Sequence, residues 1–302
     1  MTTVLLVGAT GMLGSQIAIA LTQKPNLTVK ALIRSIQSQD AKKQQTIDAL
    51  TAKGIQWTEG DLSDRASLLQ ACEGVDVIVS AVSGGEESVV TGQLNLLAAA
   101  ETQGVQRMIP SDYSVDYRKL DEGDNVNLDM RRKVFQAIAA SSIDYTLILN
   151  GVLTEVLFSP FLKIFDFQNA VFRYWGDGET LFDTTTIADV ANYVAEAVVD
   201  PNLKNQALEI AGDSLTMKQL KAVYKQTTGK QLKEQPMGSV AELFVWIQAT
   251  KAKATLIYEY LPEQYVYAMV SGKGKLDTLN ARQLYPHITT TSVQDFIRQS
   301  QI

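Results

Sequence analysis

Cysteine and histidine are almost missing from this chain of 302 residues, which has one of each, Cys72 and His287. A single cysteine excludes an intrachain disulfide, and so few soft ligands leave no clustered metal site to expect. Cys72 falls late in a predicted helix, where a small buried hydrophobic residue fits. His287 follows Pro286 in a predicted loop, and we expect it at the surface.

The chain also lacks an excess of positive charge and any long apolar run. The 27 lysines and arginines are outnumbered by 33 aspartates and glutamates, so we expect no nucleic acid as a direct partner. The densest basic cluster, residues 131–133, lies inside a predicted helix. No apolar run is long enough to cross a membrane, and the first strand begins too early for a signal peptide. We therefore expect a cytoplasmic protein without a membrane partner.

The first strand leads directly into three glycines, Gly8, Gly11 and Gly14, spaced G-x-x-G-x-x-G. Apolar residues then return at helical intervals, which predicts a strand, a tight turn and a helix. Such a turn lets the backbone approach a pyrophosphate, which the N-terminus of the helix attracts. We therefore predict a dinucleotide-binding site, with a plain structural turn as the alternative. The predicted contacts are Gly8, Thr10, Gly11, Met12, Leu13 and Gly14.

Apolar strand patterns and helical patterns alternate along the first 150 residues. Nearly continuous apolar strands are typical of a parallel sheet that helices cover on both faces. The sequence therefore predicts an α/β fold, a doubly wound parallel sheet of the Rossmann type. The predicted strands are 4–8, 27–33, 55–59, 75–81, 105–110 and 145–149, and the helices between them are 12–23, 41–53, 66–73, 88–102 and 127–140.

The regular alternation of strand and helix patterns ends beyond residue 151. We predict a dinucleotide-binding domain over residues 1–150 and a smaller, mixed α/β part that covers the substrate over 151–302, with 187–211 rejoining the first sheet. The predicted elements of the second part are helices at 153–165, 187–199, 216–228, 240–250, 265–270 and 293–299, and extended segments at 170–174, 180–184 and 207–211.

Residues after the second, third and fourth strands complete the predicted cofactor site. Arg34 stands where a carboxylate would bind the ribose 2′-hydroxyl of NAD, and its guanidinium suits a 2′-phosphate, so NADP(H) is favoured. A solvated surface arginine is the alternative. Asp61 lies either beside the adenine or at the start of the next helix. The small residues Ala81, Val82 and Ser83 either line the path of the dinucleotide or form an ordinary turn.

Later segments match, in order, the motifs of one known family. They are R-M-I-P-S-D-Y at 107–113, I-D-Y-T-L-I at 143–148, Y-W-G-D-G at 174–178 with T-I-A-D-V-A at 186–191, and L-Y-P at 284–286 with T-S-V-Q-D-F at 291–296. The chain thereby resembles the NmrA-like, or isoflavone reductase-like, family of atypical short-chain dehydrogenases/reductases over nearly its whole length. The resemblance implies NADP(H) binding. Plant members of the family reduce phenolic double bonds or benzylic ethers, whereas a fungal regulator senses dinucleotides without turnover.

The resemblance breaks in the helix after the fifth strand. Plant reductases have a lysine there that is credited with proton transfer, and Arg131 takes its position in this chain. Lys133 lies two residues on, about 200° around a helix, and cannot simply substitute. An arginine stays protonated, so it can stabilise negative charge but cannot be a general base. No tyrosine is followed four residues later by a lysine, so the ordinary short-chain dehydrogenase pair is not expected.

The catalytic candidates are Arg131, Ser111, Asp112 and Tyr113. Tyr113 or a water molecule could donate the proton that accompanies hydride transfer from nicotinamide. Alternatively, Asp112 caps a turn and Tyr113 only packs under a lid. The candidate substrate-binding residues are Asn150, Gly151, Phe161 and Phe165, although Asn150 and Gly151 could merely form a turn.

Two functions follow from these candidates. The first is an NADPH-dependent reductase of a small apolar substrate, aromatic or conjugated. The second is a non-catalytic NADP(H)-binding redox sensor that acts through a protein partner.

Overall fold

The structure is a computed structural model that describes residues 1–302. The chain divides into two compact units. Unit 1 comprises residues 1–112, 130–148 and 190–208, and unit 2 comprises residues 113–129, 149–189 and 209–302. The units are nearly equal in length. Residues 113–129 belong to unit 2 although they precede residue 150.

Thirteen strands and twelve α-helices build the fold. The strands are β1 Thr2–Val7, β2 Leu27–Ile33, β3 Gln56–Glu59, β4 Val77–Ser80, β5 Arg107–Ile109, β6 Asp144–Leu149, β7 Val152–Leu153, β8 Phe165–Asp166, β9 Val171–Tyr174, β10 Phe182–Thr185, β11 Gln206–Glu209, β12 Asp213–Leu215 and β13 Lys233–Pro236. The helices are α1 Met12–Thr22, α2 Ala41–Ala52, α3 Arg65–Ala71, α4 Gly92–Gln103, α5 Val126–Ala139, α6 Thr154–Leu157, α7 Ile187–Val199, α8 Met217–Thr228, α9 Val240–Lys251, α10 Leu261–Val270, α11 Leu279–Leu284 and α12 Val293–Ser300. None of the helices combines the length and apolar character needed to span a bilayer.

A seven-stranded sheet has the strand order β11-β6-β5-β4-β1-β2-β3. Strands β1 to β6 pair in parallel. Most of their side chains are buried because helices cover both faces, as at Leu5 and Ile78, which are both 0% exposed. The edge strand β3 is the exception, since Gln56 and Glu59 are exposed. The α/β prediction of a Rossmann-type sheet is therefore confirmed. The strand order reverses at β1, which lies between β4 and β2, and such a switch point opens a crevice at the carboxyl ends of the strands.

The predicted boundaries of the first six strands and five helices agree with the structure to within two residues, with one exception. The helix expected from residue 88 begins with a π-helical turn, Glu87–Thr91, and becomes α-helical only at Gly92.

Unit 2 contains two three-stranded sheets, of order β12-β10-β7 and β13-β9-β8. Its core is rich in aromatic side chains, including Phe158, Phe172 and Tyr224. The helix predicted over 153–165 is wrong, since only Thr154–Leu157 is helical. Pro160 has no N–H to continue a helix, and residue 163 takes a positive φ of 57° before β8 begins.

Candidate functional site

The turn after β1 packs too tightly for side chains at two of its glycines. Gly8 has a φ of +89°, and a Cβ there would lie 2.6 Å from the carbonyl oxygen of Ala81. A Cβ at Gly14 would lie 2.1 Å from the carbonyl oxygen of Gly8. The backbone at the end of β1 therefore packs directly against the loop after β4 and against the start of helix α1.

Helix α1 begins in this turn with its first N–H groups uncapped by a side chain. The N-cap residue is Gly11, and the first turn contains no acidic residue. The positive end of the helix dipole and the first backbone N–H groups favour a bound anion. Met12 extends an exposed side chain, while Gly14 is buried. Met12, Leu13 and Gly14 can thus contribute backbone N–H groups to a phosphate.

A cavity of about 380 Å³ lies in unit 1 at the ends of β1, β2, β3 and β4, and we call it the cleft. It brings together eight of the predicted cofactor-binding residues, which follow four different strands. They are Gly8, Thr10, Gly11, Arg34, Asp61, Ala81, Val82 and Ser83. Met12, Leu13 and Gly14 follow the glycine turn inside α1 and are not among the residues that line the cleft.

Two cations line the cleft, and sequence reasoning found only one of them. Arg34 follows β2, and Lys43 lies in the first turn of α2. Asp40 starts this helix by accepting a 3.0 Å hydrogen bond from the N–H of Lys43. The strand β2 ends and the helix α2 begins at the same edge of the sheet. A lysine in the first turn of α2 is therefore expected near the end of β2, and this position could have identified Lys43 from the sequence.

Asp61 starts a turn at the edge of the cleft. Its carboxylate accepts hydrogen bonds from the Ser63 hydroxyl at 2.7 Å and the Ser63 N–H at 2.8 Å. These bonds, helped by the charge of Arg34, lower the pKa of Asp61. The alternative that Asp61 caps the next helix is wrong, because Asp64 is the N-cap of α3 and accepts from Ala66 N–H.

The end of β5 brings together three of the catalytic candidates. Ser111 is 3% exposed, and its Oγ donates a 2.7 Å hydrogen bond to the carbonyl oxygen of Val82. The next residue, Asp112, is 1% exposed, and its carbonyl oxygen accepts a 3.0 Å hydrogen bond from Nε of Arg131. Arg131 therefore turns towards the carboxyl end of β5, where it holds a permanent positive charge.

Unit 2 holds the remaining predicted residues. Tyr113 is half-buried at the start of this unit. Asn150 is 0% exposed, and its Oδ1 is buried without a hydrogen-bond partner. Its backbone N–H and that of Gly151 both donate to the carbonyl oxygen of Ser114. Asn150 and Gly151 thus form the turn from β6 to β7. The Oδ1 atom of Asn150 can still accept a hydrogen bond from a ligand.

The two phenylalanine candidates differ in their surroundings. Phe161 is half-buried, and its ring packs edge-on against Tyr265 with centroids 5.9 Å apart. Phe165 is 5% exposed and stacks on Phe158 with centroids 4.7 Å apart. Phe165 is therefore better explained as a core residue of unit 2 than as a substrate-binding residue.

Cys72 and His287 occupy the positions that the sequence predicts. Cys72 is 0% exposed, and burial raises the pKa of its thiol to about 11. His287 is exposed and packs beside Tyr285.

The model of the NmrA-like family matches residues 1–297. The chain belongs to the NmrA-like family. Its similar proteins include phenylcoumaran benzylic ether reductase IRL1 of Ginkgo biloba, 25% identical over 98% of each chain. They also include pinoresinol reductase 1 of Arabidopsis thaliana, 30% identical over 77% of this chain and 76% of that protein.

Solved structures of NmrA-like relatives share the fold. The crystal structure of isoflavone reductase superposes with a TM-score of 0.85, at 23% identity and 99% coverage of each chain. The binary complex of leucoanthocyanidin reductase with NADPH from Vitis vinifera gives 0.84, at 20% identity and 98% coverage of each chain. At such identities the likeness shows the fold alone.

Proposed function

We propose that this NmrA-like protein is an NADPH-dependent reductase of a small apolar substrate that is aromatic or conjugated. The observation that carries the proposal is the cleft, where a tightly packed glycine turn, an uncapped helix N-terminus and two cations follow neighbouring strands. This combination fits a dinucleotide with an additional phosphate. The names of the similar plant proteins, all reductases of aromatic compounds, support the substrate class.

The choice of NADP(H) over NAD(H) rests on Arg34 and Lys43. A 2′-phosphate carries about two negative charges, which a guanidinium and an ammonium at one end of the cleft would match. The carboxylate in the cleft, on Asp61, already accepts two hydrogen bonds from Ser63. It follows β3, whereas a carboxylate that binds the ribose hydroxyls of NAD(H) would follow β2, where Arg34 lines the cleft.

The chain contributes charge and proton donors at the end of β5. Arg131, fixed on the Asp112 carbonyl, would stabilise negative charge that develops on the substrate. Tyr113 is the proposed proton donor, because a phenol keeps its proton at neutral pH. NADPH, when bound, supplies the hydride. Asn150 and Phe161 are the proposed substrate contacts, one through an unpaired buried oxygen and the other through a half-buried ring.

Calorimetric titration with NADPH, NADP⁺, NADH and NAD⁺ tests the cofactor assignment. Preference for the phosphorylated pair supports it and justifies screening phenolic, quinone and enone compounds for NADPH consumption. Equal affinity for the four dinucleotides removes Arg34 and Lys43 from the site. Failure of all four to bind rejects the proposal.

A redox sensor is the second candidate, and Arg131 is the observation that favours it. An arginine in the place of the family's lysine cannot exchange a proton at working pH. A sensor would bind NADPH and NADP⁺ with different affinities, act through a protein partner and consume no NADPH with any compound of the screen. Measurable consumption of NADPH with one compound would support the reductase and exclude a non-catalytic sensor.

A further inference from the structure

Gln93 is a buried amide in the first turn of α4, and both ends of its side chain have partners in unit 1. The residue is 1% exposed. Its Nε2 donates a 2.7 Å hydrogen bond to the carbonyl oxygen of Val89. Its Oε1 accepts a 3.0 Å hydrogen bond from the N–H of Ser111. The side chain therefore links the start of α4 to the end of β5.

One end of the amide meets the π-helical turn before α4, and the other meets the segment after β5. Val89 lies in the π-helical turn that precedes α4, a rare geometry that recurs at functional sites. Ser111 lies beyond Val79 and Ile109, the last pair between β4 and β5. Its buried N–H consequently needs a partner from outside the sheet. Gln93 supplies that partner.

Ser111 continues the link to the cleft. Its Oγ donates to the carbonyl oxygen of Val82, which lines the cleft between Ala81 and Ser83. The following residue, Asp112, accepts the hydrogen bond from Arg131. One amide thus holds a segment that contacts both the cleft wall and the proposed charge-stabilising arginine.

We propose that Gln93 is a positioning residue for the nicotinamide half of NADP(H), an inference that rests on the proposed function. Gln93 is not among the residues that line the cleft, so it acts through Ser111. The 2′-phosphate is assigned to Arg34 and Lys43, beside β2. A dinucleotide that starts there and crosses β1 reaches its other end at β4 and β5, the strand ends that Gln93 and Ser111 hold together.

The test compares two ligands of the full-length protein, NADPH and 2′,5′-ADP, which has only the adenosine half with its 2′-phosphate. In Gln93→Leu, Ser111 N–H loses its acceptor, so we expect NADPH affinity to fall about tenfold and 2′,5′-ADP affinity to stay unchanged. Equal losses for both ligands, or none for either, overturn the proposal. Gln103→Leu is the matched control in the same helix, because its amide donates to the Leu69 carbonyl at the surface. We expect this control to bind both ligands normally.

Gln93→Glu keeps the proposal testable if the leucine variant does not fold. A protonated carboxyl reproduces both hydrogen bonds, whereas an ionised one repels the Val89 carbonyl. Relative to wild type, this variant should bind NADPH normally at low pH and about tenfold more weakly once ionised, with 2′,5′-ADP binding unaffected. A ratio to wild type that does not change with pH overturns the proposal. Failure of the wild type to bind NADPH rejects the proposed function instead.

Discussion

Arg131 reaches the end of β5 and donates a hydrogen bond from Nε to the carbonyl oxygen of Asp112, 3.0 Å away. This bond fixes a permanent cation beside the Pro110–Asp112 segment, whose serine hydroxyl is bonded in turn to Val82 in the cleft wall. The family's lysine mechanism requires a group that can give up a proton. Arg131 can only hold charge, so in the reductase that we propose the proton would come from another group, for which we propose Tyr113.

Replacing Arg131 by alanine tests this role. If the guanidinium stabilises charge only as the substrate reacts, we expect Arg131→Ala to lower kcat by about 100-fold and to leave the dissociation constant of NADPH within about threefold of wild type. Steady-state kinetics and calorimetry measure the two quantities. Lys133→Ala is the matched control, because this cation lies two residues on in α5 and forms only an exposed ion pair with Glu86. An unchanged kcat in Arg131→Ala would remove the residue from the reaction.

Arg34 and Lys43 should together set the cofactor preference. We expect Arg34→Ala to weaken NADPH binding by about tenfold to 100-fold, because a charge-assisted hydrogen bond to phosphate is lost. We expect a smaller loss in Lys43→Ala, since an ammonium binds phosphate as a point charge. NADH affinity should remain at its wild-type value in both variants. Lys42→Ala changes the exposed neighbour in α2, which does not line the cleft, and should have no effect. Loss of NADH binding in parallel with NADPH would contradict the assignment.

The sheet could be predicted from the sequence because its signals are local. Most of the strands are short apolar runs, and Gly8, Gly11 and Gly14 mark the turn where the backbone segments pack closely. The eight strand-end residues could be assigned to one cleft because parallel strands end at one edge of a sheet.

Contacts between distant parts of the chain could not be predicted in the same way. The side chain of Gln93 bridges an 18-residue separation to Ser111, and no local sequence pattern marks that contact. The prediction of a helix at 153–165 was wrong because the spacing of apolar residues alone does not distinguish a helix from an irregular segment that packs into the core. Phe165, for example, packs its ring against Phe172 of β9.

Gly14→Ala should destabilise the protein severely, because its Cβ would stand 2.1 Å from the Gly8 carbonyl oxygen. Backbone crowds this position, so neither segment can give way without moving β1 or α1. We expect a loss of about 3 kcal/mol or more in the free energy of unfolding, measured by urea denaturation. Gly85→Ala is the control, since a Cβ there meets no atom within 4 Å, and its effect should stay within about 0.5 kcal/mol. A Gly14→Ala variant as stable as wild type would show that the turn is looser than described.

Glu155 should make stability depend on pH in the direction opposite to that of most carboxylates. Both of its oxygens accept from the Ile187 N–H at the start of α7, at 3.0 and 3.1 Å. Burial nevertheless raises its pKa above the ordinary 4.5. The folded state then binds the proton more tightly than the unfolded state, so the contribution of Glu155 to stability is largest below the unfolded pKa and is lost as pH rises through the folded pKa. Glu155→Gln keeps an acceptor for Ile187 and cannot ionise. Urea unfolding between about pH 4 and 7 should therefore show wild type losing stability relative to this variant as pH rises. A difference that is constant over this range would mean that the carboxyl ionises as readily in the folded chain as in the unfolded one.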